Sequence, residues 1–229
     1  MSTQNDAIAI LLANRSYLYS MLQRIFGVQP DVELIGSITN EHTREGLQLL
    51  VQEDDQQFDS YFKLFDQYLK DMSVDPKGTI EKLKDEYTYL LIGPNKLPAP
   101  PWESVYLTKE RLIFQESTLK VRRSYMKYNF LPSNYPHEAD DHLALELDFM
   151  VHLAKLSQEY AENEKKEELK SVLLDQKSFL NDHLLVWIGD FAEEIQQGKT
   201  QYFYPQMANL TTQVLKRDIF VLEELISLL

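Results

Sequence analysis

Glycine and proline, the residues that interrupt helices, are few and bunched in this chain. It holds 7 glycines and 9 prolines in 229 residues. Pro94, Pro98, Pro100 and Pro101 fall within one short segment. The long stretches between such breaks carry apolar residues at spacings of three and four, the period of a helix with one buried face. Ile8, Leu11, Leu18, Leu22 and Ile25 form one such stripe. Phe58, Tyr61, Phe62, Phe65, Tyr68, Leu69 and Met72 form a second. A third, Ile80, Leu83, Tyr87, Leu90 and Leu91, follows the start signal Asp75–Pro76. Leu143, Leu147, Met150, Val151 and Ala154 make a fourth, and Leu180, Leu184, Trp187, Ile188, Phe191 and Ile195 a fifth that stops near Gly198. Leu210, Val214, Val221 and Leu225 carry the pattern to the end. Alternating strand-like runs are scarce and no repeat recurs, so the pattern predicts an all-α, single-domain bundle of about eight to ten helices over residues 1–229. Within it we expect an N-terminal helical half over about 1–92, a proline-rich connector over 93–108 and a C-terminal helical half over about 109–229. Leu131–Pro136 is a second irregular segment, leading into a helix expected to begin near Glu138. The charge run Glu162–Lys170 reads as a solvated loop or helix end.

Composition narrows the function. With no cysteine, disulfides, thiolate metal sites and cysteine nucleophiles are excluded. A net charge of −13, from 36 acidic and 23 basic residues, argues against nucleic acid, which needs a basic footprint. It suits a cationic partner, although solubility alone accounts for an acidic surface. The start of the chain lacks a basic segment, and its apolar stretch Ala7–Ala13 is too short for a signal peptide or a membrane span. The expected location is the cytoplasm.

Two constellations could carry chemistry. Leu97–Tyr106, reading LPAPPWESVY, holds Trp102 on a stiff polyproline-like segment with little conformational entropy left to lose. By its residues alone Trp102 has two open roles, a plug in the core or an anchor for a partner. The second constellation, His137–His142, gathers three carboxylates and two histidines. On a helix Glu138 and His142 would be neighbours four apart, which allows a metal reading. The Glu-x-x-His spacing of di-iron bundles is missing, and acidic residues at a helix start also serve its dipole. No nucleophile or glycine-rich phosphate loop accompanies the cluster, so acid–base catalysis finds no support and no enzyme activity is expected. Arg15 lies on the apolar stripe of the first helix and needs an acidic partner, for which Asp141 is the expectation. His183 and Trp187 read as core residues, as do Tyr202–Pro205 at the start of the last helix.

These motifs resemble those of a known family. Leu90-Leu91-Ile92-Gly93-Pro94 followed by Leu97-Pro98-Ala99-Pro100-Pro101-Trp102-Glu103-Ser104-Val105-Tyr106 is similar to the signature loop of the TorD/DmsD family of cytoplasmic maturation chaperones for molybdopterin oxidoreductases. Asp140-Asp141-His142 with Glu146-Leu147 and Phe149-Met150 resembles the family's acidic second signature. Phe179-Leu180, His183, Trp187 and Phe191, with Phe203-Tyr204 downstream, resembles its C-terminal pattern. The likeness runs from about Tyr87 to Val221, with Ala139 where the family often has proline and Leu91 where it often has an aromatic. It implies a TorD-like helical fold that binds the twin-arginine leader peptide of a molybdoenzyme subunit of the DMSO or TMAO reductase type and delays export until the cofactor is inserted. Glu103, Glu138, Asp140 and Asp141 would then meet the arginines, while Leu90, Leu91, Pro101, Trp102 and Tyr106 take the hydrophobic part. His142 would orient a carboxylate or touch the peptide. No cofactor, metal or nucleic acid is expected, weak guanine nucleotide binding and a nucleotide-binding assembly factor being the alternative. A nitrate-reductase or formate-dehydrogenase type client is a further one, a metal-dependent hydrolase the last, and the connector would permit a domain-swapped homodimer.

Overall fold

The computed structural model describes residues 2–50, 57–94, 96–132 and 137–229. The chain opens with α1 (Ser2–Gly27), α2 (Val32–Thr39), α3 (Glu41–Gln48), α4 (Gln57–Val74) and α5 (Pro76–Tyr87). Side-chain caps explain the starts of three of these: Asp31, Asn40 and Asp75 accept from the backbone N–H of Leu34, Thr43 and Gly78. Pro76 stands in the first turn of α5, as the Asp75–Pro76 signal predicts. A π-helical turn, Thr88–Ile92, extends α5 to Gly93, which ends the helix at φ 96°, a conformation that favours glycine.

The connector expected over 93–108 holds a short helix, α6 (Glu103–Leu107), and after it come α7 (Glu116–Lys127), α8 (Leu143–Glu162), α9 (Lys166–Phe179), α10 (Leu185–Gln196) and α11 (Tyr204–Ser227). A second π-helical turn, Leu180–Leu184, makes α9 and α10 one continuous rod, so the described residues form ten helical rods and no strand. The all-α expectation of eight to ten helices holds. The charge run Glu162–Lys170 covers the end of α8, the turn at 163–165 and the start of α9. Residues 133–136 of the irregular segment Leu131–Pro136, and Asn95 of the connector, lie outside the described residues.

Helix α1 lies against α8 and α11, and α10 packs on α11. One contiguous core runs from Ile8 in α1 to Leu225 in α11, so the predicted stripes close on each other. The charge on that interface is Arg15, which is 2% exposed. Its partner is Asp218 of α11, not Asp141: Arg15 Nε and Nη2 donate to the two carboxylate oxygens at 2.6 and 2.9 Å. Asp141 is already committed to the backbone N–H of Ser104. Tyr19 Oη adds a third donor to Asp218 at 2.7 Å. Burial alone would push the Arg15 guanidinium down, and the Asp218 carboxylate reverses this and holds it up.

A second buried carboxylate fixes the other end of α11. Glu86 of α5, 2% exposed, accepts the backbone N–H groups of Tyr202, Phe203 and Tyr204 at 3.0, 2.8 and 3.1 Å. It thus caps a helix start that has no side-chain cap of its own.

Removing one member of the Arg15–Asp218 pair strands a buried charge. Arg15→Met alone should cost about 3–5 kcal/mol in urea denaturation, and Arg15→Met with Asp218→Leu should recover most of that loss. A double variant no more stable than the single would show that the pair itself, not the stranded charge, carries the stability.

A clasped proline loop and its cleft

The proline loop is held by a two-stranded clasp. Trp102 and His142 pair as an isolated antiparallel bridge. Around it Glu103 N–H donates to Asp141 O at 3.0 Å, and Leu143 N–H donates to Pro101 O at 2.9 Å. Because its backbone groups go to the loop, the segment 138–142 is a turn and α8 begins at Leu143, not near Glu138. Glu138 and His142 are therefore not neighbours on a helix face. Among the described residues no group of three His, Asp or Glu is arranged to hold a metal ion.

Each expected site residue can now be placed. Asp141 is fully buried, and its Oδ2 accepts the Ser104 N–H at 2.8 Å, capping the start of α6 from a distant segment. Asp140, 2% exposed, takes Arg122 Nε at 2.5 Å, while its carbonyl accepts Tyr125 Oη at 2.8 Å. Glu138, half-buried, accepts the Trp102 indole N–H at 2.8 Å. The edge of the same indole meets the His142 ring, with centroids 5.4 Å apart. His142 Nδ1 accepts Ala144 N–H at 3.1 Å and caps α8. Burial pushes the His142 imidazole down, which keeps that nitrogen free to accept. Pro101 is buried. Leu90 and Leu91 are buried in the π turn that ends α5, with Leu90 packed close to Gly198, and neither lines the cleft beside the loop. Tyr106 stacks on Trp187 at 5.4 Å and 28°. Burial, and next the Glu194 carboxylate, push its phenol up, so the ring stays neutral.

Glu103, 1% exposed, meets His183 Nδ1 at 3.0 Å. Beside it Glu146 is fully buried and accepts Trp187 Nε1 at 3.2 Å. Burial, then the Glu103 carboxylate, raise the Glu146 carboxyl well above the usual range. A proton on Glu146 turns its Oε1, which finds no donor, into a donor toward Glu103. The turn Leu180–Leu184 and α10 present His183 and Trp187 to these two carboxylates, as the reading of both as core residues expects.

The structure therefore brings Pro101, Trp102 and Glu103 together with Glu138, Asp140, Asp141 and His142, but it spends the carboxylates internally. What the loop offers outward is a cleft of about 910 Å³. Leu97, Pro98, Pro100, Trp102, Leu112 and Ile113 supply its apolar lining. Lys96, Lys109, Arg111 and Lys199 bring positive charge, and Glu110 and Glu194 negative charge. Tyr89, Arg111, Leu112, Ile113 and Glu194 escape a reading of the sequence. Leu112 and Ile113 are exposed between Arg111 and Phe114, whose φ angles of 52° and 61° no local motif announces.

Loss of the Asp141 carboxylate strands the Ser104 N–H, so Asp141→Ala should cost about 1–3 kcal/mol of stability in chemical denaturation. Glu146 gives a pH signature. It holds its proton more tightly folded than unfolded, so its contribution is complete at acid pH and is lost as pH rises through the raised folded value. Glu146→Gln keeps the neutral shape. Its stability should gain on that of the unsubstituted protein as pH rises above about 4.3, the ordinary value of the unfolded carboxyl, by at most about 1.4 kcal/mol per pH unit. A pH-independent difference would mean that Glu146 is ionised in the folded protein.

Known proteins resemble this chain in sequence and in fold. The family profile described as nitrate reductase delta subunit matches residues 51–193. A Haemophilus influenzae protein assigned as the Tat proofreading chaperone DmsD is 33% identical over 62% of this chain and 62% of its own length. The chaperone protein TorD of Aliivibrio fischeri is 28% identical over 60% of this chain and 63% of its own length. The chain thus spans less than two thirds of these relatives, whereas for TorD of Shewanella pealeana the match, at 27% identity, covers 91% of this chain and 90% of that protein. In three dimensions a crystal structure assigned as a redox enzyme maturation protein from Archaeoglobus fulgidus aligns at TM-score 0.50 and 22% identity. It covers 88% of this chain and 93% of that one, a likeness of fold. The chain belongs to the nitrate reductase delta subunit family, together with the TorD and DmsD chaperones.

Proposed function

We propose that this chain is a cytoplasmic maturation chaperone, without catalytic activity of its own, that binds the twin-arginine leader of a molybdopterin oxidoreductase subunit and delays its export until the cofactor is in place. The observation that carries this reading is the cleft beside the clasped loop. A leader joins two arginines to a hydrophobic stretch, and the cleft joins an apolar wall to the carboxylates of Glu110 and Glu194, set among Lys96, Lys109, Arg111 and Lys199. The wall is Leu97, Pro98, Pro100 and Trp102 of the loop together with the exposed Leu112 and Ile113. Proline fixes the loop and the Trp102–His142 bridge ties it down, so little ordering entropy is lost on binding. The names of the DmsD and TorD relatives support the chaperone class. The family description, nitrate reductase delta subunit, favours a nitrate-reductase type client as a second reading. In the described residues no helix is long and apolar enough to cross a membrane.

Calorimetry with leader peptides tests both readings. A DMSO- or TMAO-reductase type leader should bind saturably, and more weakly once its Arg-Arg pair is replaced by Lys-Lys, since ammonium groups lose bidentate contacts. Trp102→Ala should weaken binding by about tenfold while leaving helical circular dichroism unchanged, the scale of one aromatic anchor. Equal affinity for the Arg-Arg and Lys-Lys forms sinks the leader reading, and tighter binding of a nitrate-reductase leader selects the second client.

A further inference from the structure

One arginine of this protein already sits in the cleft in the way a bound arginine would. Arg111 Nη1 and Nη2 donate to Glu194 Oε1 and Oε2, both at 2.7 Å, a two-pronged contact that matches a guanidinium to a carboxylate. Its guanidinium carbon stands 5.2 Å from the centroid of the Tyr106 ring. That ring is backed by Trp187, so the aromatic face cannot fold away. A flat aromatic floor and a carboxylate fork make a guanidinium receptor. Its occupant is partly open to solvent. The Arg111 side chain is 43% exposed and that of Glu194 26%, so the pair stands in high dielectric. Arg111 also adopts φ 52°, a left-handed conformation that side-chain-bearing residues avoid, at the end of a turn closed by Arg111 N–H on Thr108 O at 3.3 Å.

We propose that the Tyr106–Glu194 receptor is an arginine subsite of the cleft, and that Arg111 is an internal stand-in which an incoming arginine side chain displaces. For the identity of the incoming peptide this rests on the leader-binding reading; the receptor itself does not. Exchange replaces one guanidinium by another, so the Glu194 carboxylate keeps a cationic partner. Displacement also frees the adjacent exposed residues Leu112 and Ile113 to shift against the hydrophobic part of the ligand. Lys96, Lys109 and Lys199 line the same cleft and oppose a second guanidinium, so the subsite takes one arginine only.

Two measurements test this. Removing the stand-in with Arg111→Gly, a residue that accepts positive φ, should leave an empty receptor. Thermal melting of Arg111→Gly should then rise with ethylguanidinium but not with ethylammonium at equal ionic strength. The unsubstituted protein and Arg111→Gly with Glu194→Gln should show no such selectivity. In calorimetry, Arg111→Gly should bind an Arg-Arg leader about tenfold tighter, because a tethered competitor with an effective concentration on the order of millimolar is gone. Glu194→Gln should bind it about tenfold more weakly, the scale of one charge-assisted contact. Equal or weaker leader binding by Arg111→Gly, or equal stabilisation by the two small cations, overturns the proposal while leaving the leader reading intact. Guanidinium-selective stabilisation without leader binding by any form upholds the subsite and removes the leader reading.

Discussion

A buried carboxylate has to be answered where it lies, and this fold is organised around that constraint. Asp218 is answered by Arg15 and Tyr19, which ties α11 to α1 across the core. Glu86 is answered by three backbone N–H groups at the start of α11, which ties that helix to α5. Asp141 is answered by Ser104 N–H, which ties the turn before α8 to α6. In the last two cases the acid serves as the cap that the helix start lacks in its own sequence, so charge and chain direction are matched by tertiary contact. Glu146 takes the Trp187 N–H, and burial together with the neighbouring Glu103 carboxylate raises its carboxyl well above the usual range.

This use of acid changes what the net charge of −13 means. Conspicuous carboxylates of the signature motifs are inside the protein: Asp141 holds the start of α6, Glu103 meets His183 and Asp140 takes Arg122 of α7. The cleft that the loop walls is lined by lysines as well as by glutamates. Selectivity for arginine at such a place cannot come from a general acidic field. It must come from contact geometry, the fork of Glu194 and the face of Tyr106, where guanidinium and ammonium differ most.

The clasp also explains how a proline-rich segment becomes part of a surface without lying on it as free chain. Pro101 O and Glu103 N–H bond to Leu143 N–H and Asp141 O, so two peptide groups that proline leaves without helical partners are satisfied. Ala99 is fully buried and turns the loop inward, while Pro98 and Pro100 face the cleft. Trp102 is half-buried and does not plug the core: its N–H is bound within the protein by Glu138 and its ring borders the cleft.

Helix periodicity was legible because burial of one face every 3.6 residues is a local pattern, and the stripes from Ile8 to Leu225 all reach the core. The start at Asp75–Pro76, the break at the proline loop and the burial of His183 and Trp187 were legible for the same reason. Partners were not. Arg15 needed an acid, but a choice among 36 acidic residues depends on which helix faces α1, and that is set by packing. The turn at 138–142 looked like a helix start because its backbone alone could continue α8, and only the neighbouring loop diverts its hydrogen bonds. By itself, then, the sequence determined the helices, the stiff loop and the residue types gathered near it. The tertiary structure decided which charges are spent in the core and which, like Glu194 lying 83 residues from Arg111, remain at the cleft, because electrostatic pairing depends on distance in space and not along the chain.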